Sequence, residues 1–349
     1  MSEAVCRHES SSSDEYEQFS NRKNCRNKNT VMPQNASEWT KHHLQKIGVY
    51  YNRVATSLEE FMSRIHNNAS DRNLPPLPDI CRKLIEFTDN IWSVNLDMRE
   101  ATLYDVIQAG KKSDECIDKL RLNETAFKEQ LPHQNDKTIF EVWKTTLLCF
   151  WTNLKRALAR WSYPGQTEGS FKHLFMLFSR ICLLDPQPGG AYSCIKQIRG
   201  IDVCSIPDVR FNTLPEDGHL MLIVTKVKKY DAFQGDFDAE SFCADNVVDD
   251  VLGQHGMELI VEAYDSALAP CVLGIICIGT KIIFTYLDIS KHHLSKMEKS
   301  GSDKLRSIIS YTRPFDYMDV NDRRDILETL FWLGYVQSGS YRTFIAEET

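Results

Sequence analysis

No Cys-x-x-Cys pair occurs anywhere in the chain, whose eleven cysteines are odd in number and scattered. That spacing excludes a zinc ribbon and does not read as a disulfide framework. Long apolar runs are also missing. The longest, such as "CVLGIICIG", fall far short of the ~20 residues needed to span a membrane. Excess positive charge is absent: the formal net charge is −7, so nucleic-acid contact would need a local basic surface. There is no Walker loop, dinucleotide fingerprint or Gly-x-Ser-x-Gly elbow. Kinase, oxidoreductase and α/β-hydrolase readings therefore lack support. The opening "MSEAVCRHESSSSDEYE" is polar and acidic, which predicts no signal peptide. These absences predict an intracellular protein, nuclear or cytoplasmic, with no membrane partner.

What is present is an ordinary globular composition, 42% hydrophobic and 26% charged over 349 residues. That allows one large domain or two modest ones. Residues 1–37 are rich in Ser, Asn and charge and read as a disordered tail. Within them, "NRKNCRNK" carries Arg22, Lys23, Arg26 and Lys28. This is either a solvated tail or a weak import or phosphate-contacting patch. Residues 38–165 read as a helical region. "LPPLPDI" marks a connector, and the helix restarts with Asp79 near its N-terminus. In "NDKTIFEVWKTTLLCFWTNLKRALARW", Phe140, Trp143, Leu147, Trp151, Leu154, Leu158 and Trp161 recur at three- and four-residue steps. Such a stripe is expected to be core and not a base-stacking platform.

From residue 166 the texture changes. "SFKHLFMLFSRICLL" predicts a helix stopped by "DPQPGG". The runs "AYSCIKQI", "DVCSIPDVRF" and "HLMLIVTKV" predict three strands in a meander. "VVDDVLGQHGMELIVEAYDSAL" predicts a helix, "CVLGIICI" and "KIIFTYLDI" a hairpin, and "DVNDRRDILETLFWLGYVQ" a terminal helix. A helix between the third strand and a later one permits a parallel return into the sheet. The predicted fold class is thus α/β (α+β), with a helical N-terminal region followed by an α-β-β-β-α-β mixed sheet.

That order, with Pro207-Asp208 on the second strand and Lys228 on the third, resembles the PD-(D/E)xK nuclease superfamily, the restriction-endonuclease-like fold. The resemblance covers roughly residues 168–289 and implies that residues 166–349 form one such domain with an added C-terminal helix. It implies Mg²⁺-dependent phosphodiester hydrolysis, in which carboxylates on neighbouring strands hold the ion and a lysine two residues beyond the second acid orients water. Asp208 matches the first acid, Lys228 the lysine, and Gln254 a glutamine that many members carry on the following helix. Lys226 stands where the second acid belongs. At ~4 Å and an effective dielectric of ~20, like unit charges repel by ~4 kcal/mol, and a divalent ion doubles that. The resemblance thus implies a degenerate site with weakened or lost hydrolysis.

Two readings of that site remain open. Glu258, four residues after Gln254, resembles a migrated acid, and Glu168 an accessory one. With Asp208 they would supply metal ligands in an active enzyme. The function expected ahead of that alternative is nucleic-acid association through the degenerate pocket, in which Lys226, Lys228 and Lys229 attract DNA or RNA phosphate without cleavage. A third reading is non-enzymatic: a scaffold that binds protein partners through its helical region, with Asp208 merely paired to Arg210. The stretch from Asp231 to Asp250 contains no Lys or Arg. It fails the calcium-loop template, because Ser241 replaces the turn glycine and Val247 the bidentate glutamate. It reads as a solvated loop that could shield the lysine strand. The adjacent pairs His42-His43 and His292-His293 have poor chelating spacing.

Overall fold

A computed structural model describes residues 32–68, 76–160, 167–191, 193–213, 220–235, 240–299 and 305–337. The basic stretch 22–28, Trp161, Asp236 and Asp238 lie outside them. Six helices and one strand precede residue 182: α1 (Lys41–Lys46), β1 (Val49–Tyr51), α2 (Leu58–Asn68), α3 (Asp79–Ile91), α4 (Leu103–Glu129), α5 (Gln134–Ala159) and α6 (Glu168–Ile181). Helix α4 starts at a capping box. Asp105 N donates to Thr102 Oγ1 at 3.3 Å, and Thr102 N donates to the Asp105 carboxylate at 2.9 Å. Helix α5 buries Phe140, Trp143, Leu147, Trp151, Leu154 and Leu158, so the aromatic stripe is core. "IGVYY", which carries a helical texture in the sequence, instead forms β1. Gly48, with φ +82°, ends the short α1, and β1 joins the sheet beside a much later strand.

The later strands are β2 (Gln187–Pro188), β3 (Cys194–Ile198), β4 (Ile201–Ser205), β5 (Val209–Thr213) and β6 (Leu220–Lys228). Helix α7 (Asp249–Glu262) leads to β7 (Val272–Ile278) and β8 (Lys281–Asp288). Then follow α8 (Lys291–Glu298), β9 (Ser307–Tyr311), β10 (Phe315–Asp316) and α9 (Val320–Gln337). The main sheet runs β1-β9-β8-β7-β6-β5-β2, with β10 also paired to β8. β2, β5 and β6 form the antiparallel meander, and β7 returns parallel to β6 after α7. Helix α6, these three strands, α7 and β7 therefore follow the helix-strand-strand-strand-helix-strand order.

The meander differs from the sequence expectation in its members. "AYSCIKQI" supplies β3, which pairs only with β4 in a separate two-stranded sheet. "DVCSIPDVRF" is not one strand. It splits at Ile206-Pro207 into β4 and β5, because a proline has no N–H to continue a ladder. The first meander strand is instead the two-residue β2, inside "DPQPGG".

One hydrophobic core extends from Phe61 to Leu333. Trp92 packs on Phe150 at 5.2 Å and on Trp151 at 5.8 Å, and Phe178 stacks on Tyr317 at 4.3 Å between ring centroids. The change of texture near residue 165 therefore marks a change of element type within one core. Arg323, fully buried, donates to the carbonyls of Tyr317, Trp92, Val94 and Met318. Its guanidinium lies 4.5 Å from the Trp92 ring centre. At the other end, residues 33–37 do not belong to a tail. Asn35 bridges to Cys204, and the Trp39 indole donates to Pro33 O at 3.0 Å.

Candidate functional site

Strand alternation sorts β6 into two faces. Ile223 and Val227 enter the main aromatic core. Val224, Lys226 and Lys228 point the other way, toward the side covered by α7. Pro207 cannot donate to the ladder where β5 begins, and the Asp208 side chain supplies an acceptor there. Its Oδ2 accepts the Val227 N–H at 2.9 Å, while its own N–H donates to Thr225 O at 3.1 Å. Gly189 lies so close beneath that a Cβ there would collide with the Pro207 carbonyl, and its N–H donates to Asp208 O at 3.0 Å. The Pro207-Asp208 corner is thereby fixed from both sides.

Asp208 Oδ2 also accepts from Lys226 Nζ at 2.8 Å, with the two side chains 14% and 5% exposed. Lys228 Nζ lies 2.8 Å from Glu168 Oε2 at the start of α6 and is 25% exposed. Lys229 is 46% exposed, 3.8 Å from Asp231. Asp208, Lys226 and Lys228 thus come together at the carboxyl end of β6, but each lysine has a carboxylate partner. The expectation that Lys226 and Lys228 offer uncommitted charge to phosphate is not met. The reading that pairs Asp208 with Arg210 also needs correction. Arg210 binds Glu262, and both are buried.

Helix α7 supplies the opposite wall. Gln254, Glu258 and Glu262 recur every four residues and share one face. Gln254 Nε2 donates to Glu258 Oε1 at 2.9 Å, and Glu258 Oε2, fully buried, has no hydrogen-bond partner. Burial pushes the Glu258 carboxyl up to about 8; the Lys226 charge works against this and the Asp208 charge adds to it. Burial works against the Lys226 ammonium, yet the Glu258 and Asp208 carboxylates outweigh it and raise its pKa. His255 Nε2 meets Thr285 Oγ1 at 2.7 Å. Burial, aided by the Lys226 charge, brings this imidazole down to about 3, so it is neutral.

The layer between α7 and the sheet therefore carries a polar row inside its apolar packing: Arg210 with Glu262, Lys226 with Asp208 beside Glu258 and Gln254, and Thr285 with His255. The sequence pointed to Asp208, the lysines, Gln254 and Glu258. It gave no reason to connect His255 with Thr285. The i, i+4 spacing of Gln254, Glu258 and Glu262 was the signal available for the row as a whole.

Mg²⁺ requires several oxygens converging in octahedral geometry. Here the Asp208 oxygen is occupied by an ammonium and an amide, Glu258 holds its proton at neutral pH, and Glu168 is bound to Lys228. These residues as placed do not fit the ion. Among the described residues, no group of three or more His, Cys, Asp or Glu is arranged to hold a metal. The acidic stretch does not cover the lysine strand through Asp245 or Asp249, which bind Lys41 of α1 at 2.5 and 3.3 Å. No helix among the described residues is long and apolar enough to cross a membrane.

No protein-family profile, curated protein or solved structure matches this chain.

Proposed function

We propose that this chain is a non-hydrolysing intracellular binding protein on a nuclease-like layout. In this reading, the positions resembling a phosphodiesterase centre now fasten the β5–β6 corner to itself and to the start of α6. The 2.8 Å contact between Lys226 Nζ and Asp208 Oδ2, with Lys226 buried, carries the reading. Metal-assisted hydrolysis needs space for an ion and a water beside the acid; the lysine fills it. Protein partners suit this chain better than nucleic acid, because paired lysines displace few counterions from a phosphate backbone. The nine described cysteines are free thiols, in keeping with a reducing nuclear or cytoplasmic setting. A second reading, nucleic-acid association without cleavage, is favoured by the exposure of Lys229 at the strand end.

Incubating the full chain with labelled single- and double-stranded DNA and RNA, with Mg²⁺ or Mn²⁺ and across a salt series, tests both readings. The expected result is no cleavage and no more than feeble binding. Cleavage abolished by Asp208→Ala would overturn the proposal. Binding that declines steeply with salt and weakens in Lys229→Ala would move the conclusion to the second reading.

A further inference from the structure

A groove of about 980 Å³, whose lining includes no member of the Asp208 cluster, is within the size range of sites that take small ligands and short peptide segments. Four parts of the chain build it: the β1–α2 connection with the start of α2, Leu77 before α3, residues 240–243, and α9 beside Arg313 and Phe315. Its apolar lining comes from Leu58, Met62, Leu77, Phe242 and Phe315, with Val54 standing 66% exposed at the edge. An apolar lining alone would leave the occupant undetermined.

Charge narrows the choice. Glu59, Glu240, Asp325 and Glu328 line the groove, against one cation, Arg313. That guanidinium is already committed, 2.7 Å from Asp322 and 4.0 Å from the Phe315 ring centre. Glu328 is paired with Arg324 at 3.0 Å. Glu59, Glu240 and Asp325 form no ion pair among the described residues. They stand on three separate parts of the chain: α2, the segment at 240–243 and α9. Among the described residues no group of three or more His, Cys, Asp or Glu is placed to hold a metal ion, which disfavours a bare cation as the occupant. Phosphate polymers would be repelled. Side chains ending in cations, spaced along a backbone and separated by apolar ones, satisfy both the carboxylates and the apolar lining. Burial, with the Glu328 and Asp322 charges, raises the Asp325 carboxyl above its usual range, although Arg313 and Arg324 work against this.

We infer that this groove docks a short peptide segment of a partner protein in which lysine or arginine alternates with large apolar residues. The inference deepens the binding role proposed above. It does not involve the Asp208 cluster, so a nuclease result and a groove result are independent.

The probe is a synthetic, end-blocked, fluorescently labelled octapeptide of alternating lysine and leucine, titrated into the full chain and followed by anisotropy. A matched peptide of glutamate and leucine is the control. The lysine peptide should bind with an affinity that falls as salt rises, and the glutamate peptide should not bind. The double variant Glu59→Gln/Asp325→Asn neutralises two lining carboxylates, one on α2 and one on α9, at exposed positions where folding is little affected. It should weaken binding on the order of tenfold, as expected for charges that complement a ligand directly. A second double variant, Asp118→Asn/Glu115→Gln, removes the same net charge from α4, away from the groove lining, and should leave affinity unchanged. Absence of lysine-peptide binding by the parent chain overturns the inference. So does equal weakening in both double variants, which would indicate attraction to net charge alone, or no weakening in the groove variant.

Discussion

Asp208 and Lys226 show what one substitution does to a catalytic layout. A carboxylate at position 226 would share a negative pocket and call for a metal; an ammonium satisfies Asp208 internally. The two types of site predict opposite mutational behaviour. In a metal site lacking its ion, removing one crowded carboxylate relieves repulsion. Here Asp208→Ala strands a buried ammonium and an amide N–H. Breaking such a buried pair costs ~3–5 kcal/mol, less where one partner keeps some exposure. Urea denaturation should show this loss in Asp208→Ala. The Asp208→Ala/Lys226→Met double variant should regain most of it, because no uncompensated charge then remains. A double variant no better than the single one would mean that the ion pair is not what holds this corner. The motif directed attention to these residues, but their pairing was not legible. The sequence places Lys226 and Asp208 only in neighbouring strands; whether the lysine turns toward the acid or out to solvent depends on α7 covering that face.

At the scale of elements, legibility followed length and punctuation. Helix α5 was readable because its large apolar residues keep one face from Phe140 to Leu158, about five turns. The β7–β8 hairpin was readable because Gly279, at φ +65°, marks a tight turn between two apolar runs. Short elements were not. β1 and β2 are fixed by partners distant in sequence, β9 and β5 respectively, which local pattern cannot supply. β2 nevertheless determines where the corner sits, since Gly189 directly after it packs against Pro207. Gly189→Ala should therefore act on the β2–β5 junction. It would force the two backbones apart and destabilise the chain by roughly 1–3 kcal/mol, visible as a lower melting temperature. An unchanged melting temperature would show that this junction yields at little cost. Helix α7 was placed correctly in sequence, yet it buries His255, Glu258 and Glu262 among its apolar residues, so a buried helix here is not apolar throughout.

For the whole molecule, that polar layer sets a pH profile. Glu258 titrates near 8 in the folded chain against an ordinary value of 4.5. The folded state keeps a proton that the unfolded chain releases. The associated stability is complete below about 4.5 and is lost as pH rises toward 8. His255 acts in the opposite sense, near 3 when folded against 6.5; its contribution is complete above about 6.5 and is lost as pH falls toward 3. Between 4.5 and 6.5 the two slopes cancel, leaving a plateau with declines on either side. Glu262 and Asp316, also raised chiefly by burial, act in the same sense as Glu258, losing stability as pH rises from the unfolded value. Glu258→Gln should reduce that decline by on the order of a few kcal/mol between pH 6.5 and 8, measured as denaturation midpoints at each pH. A Gln variant that declines as steeply as the parent would assign the effect to other groups.

Trp92, Trp143 and Trp151 sit in the aromatic core that joins the early helices to the sheet. Indoles so placed emit at short wavelength until water reaches them. The chain thus carries an optical gauge at the seam between its two textures. If that seam opened before the rest, the emission would redden while backbone dichroism held steady; a shared core requires both signals to change together.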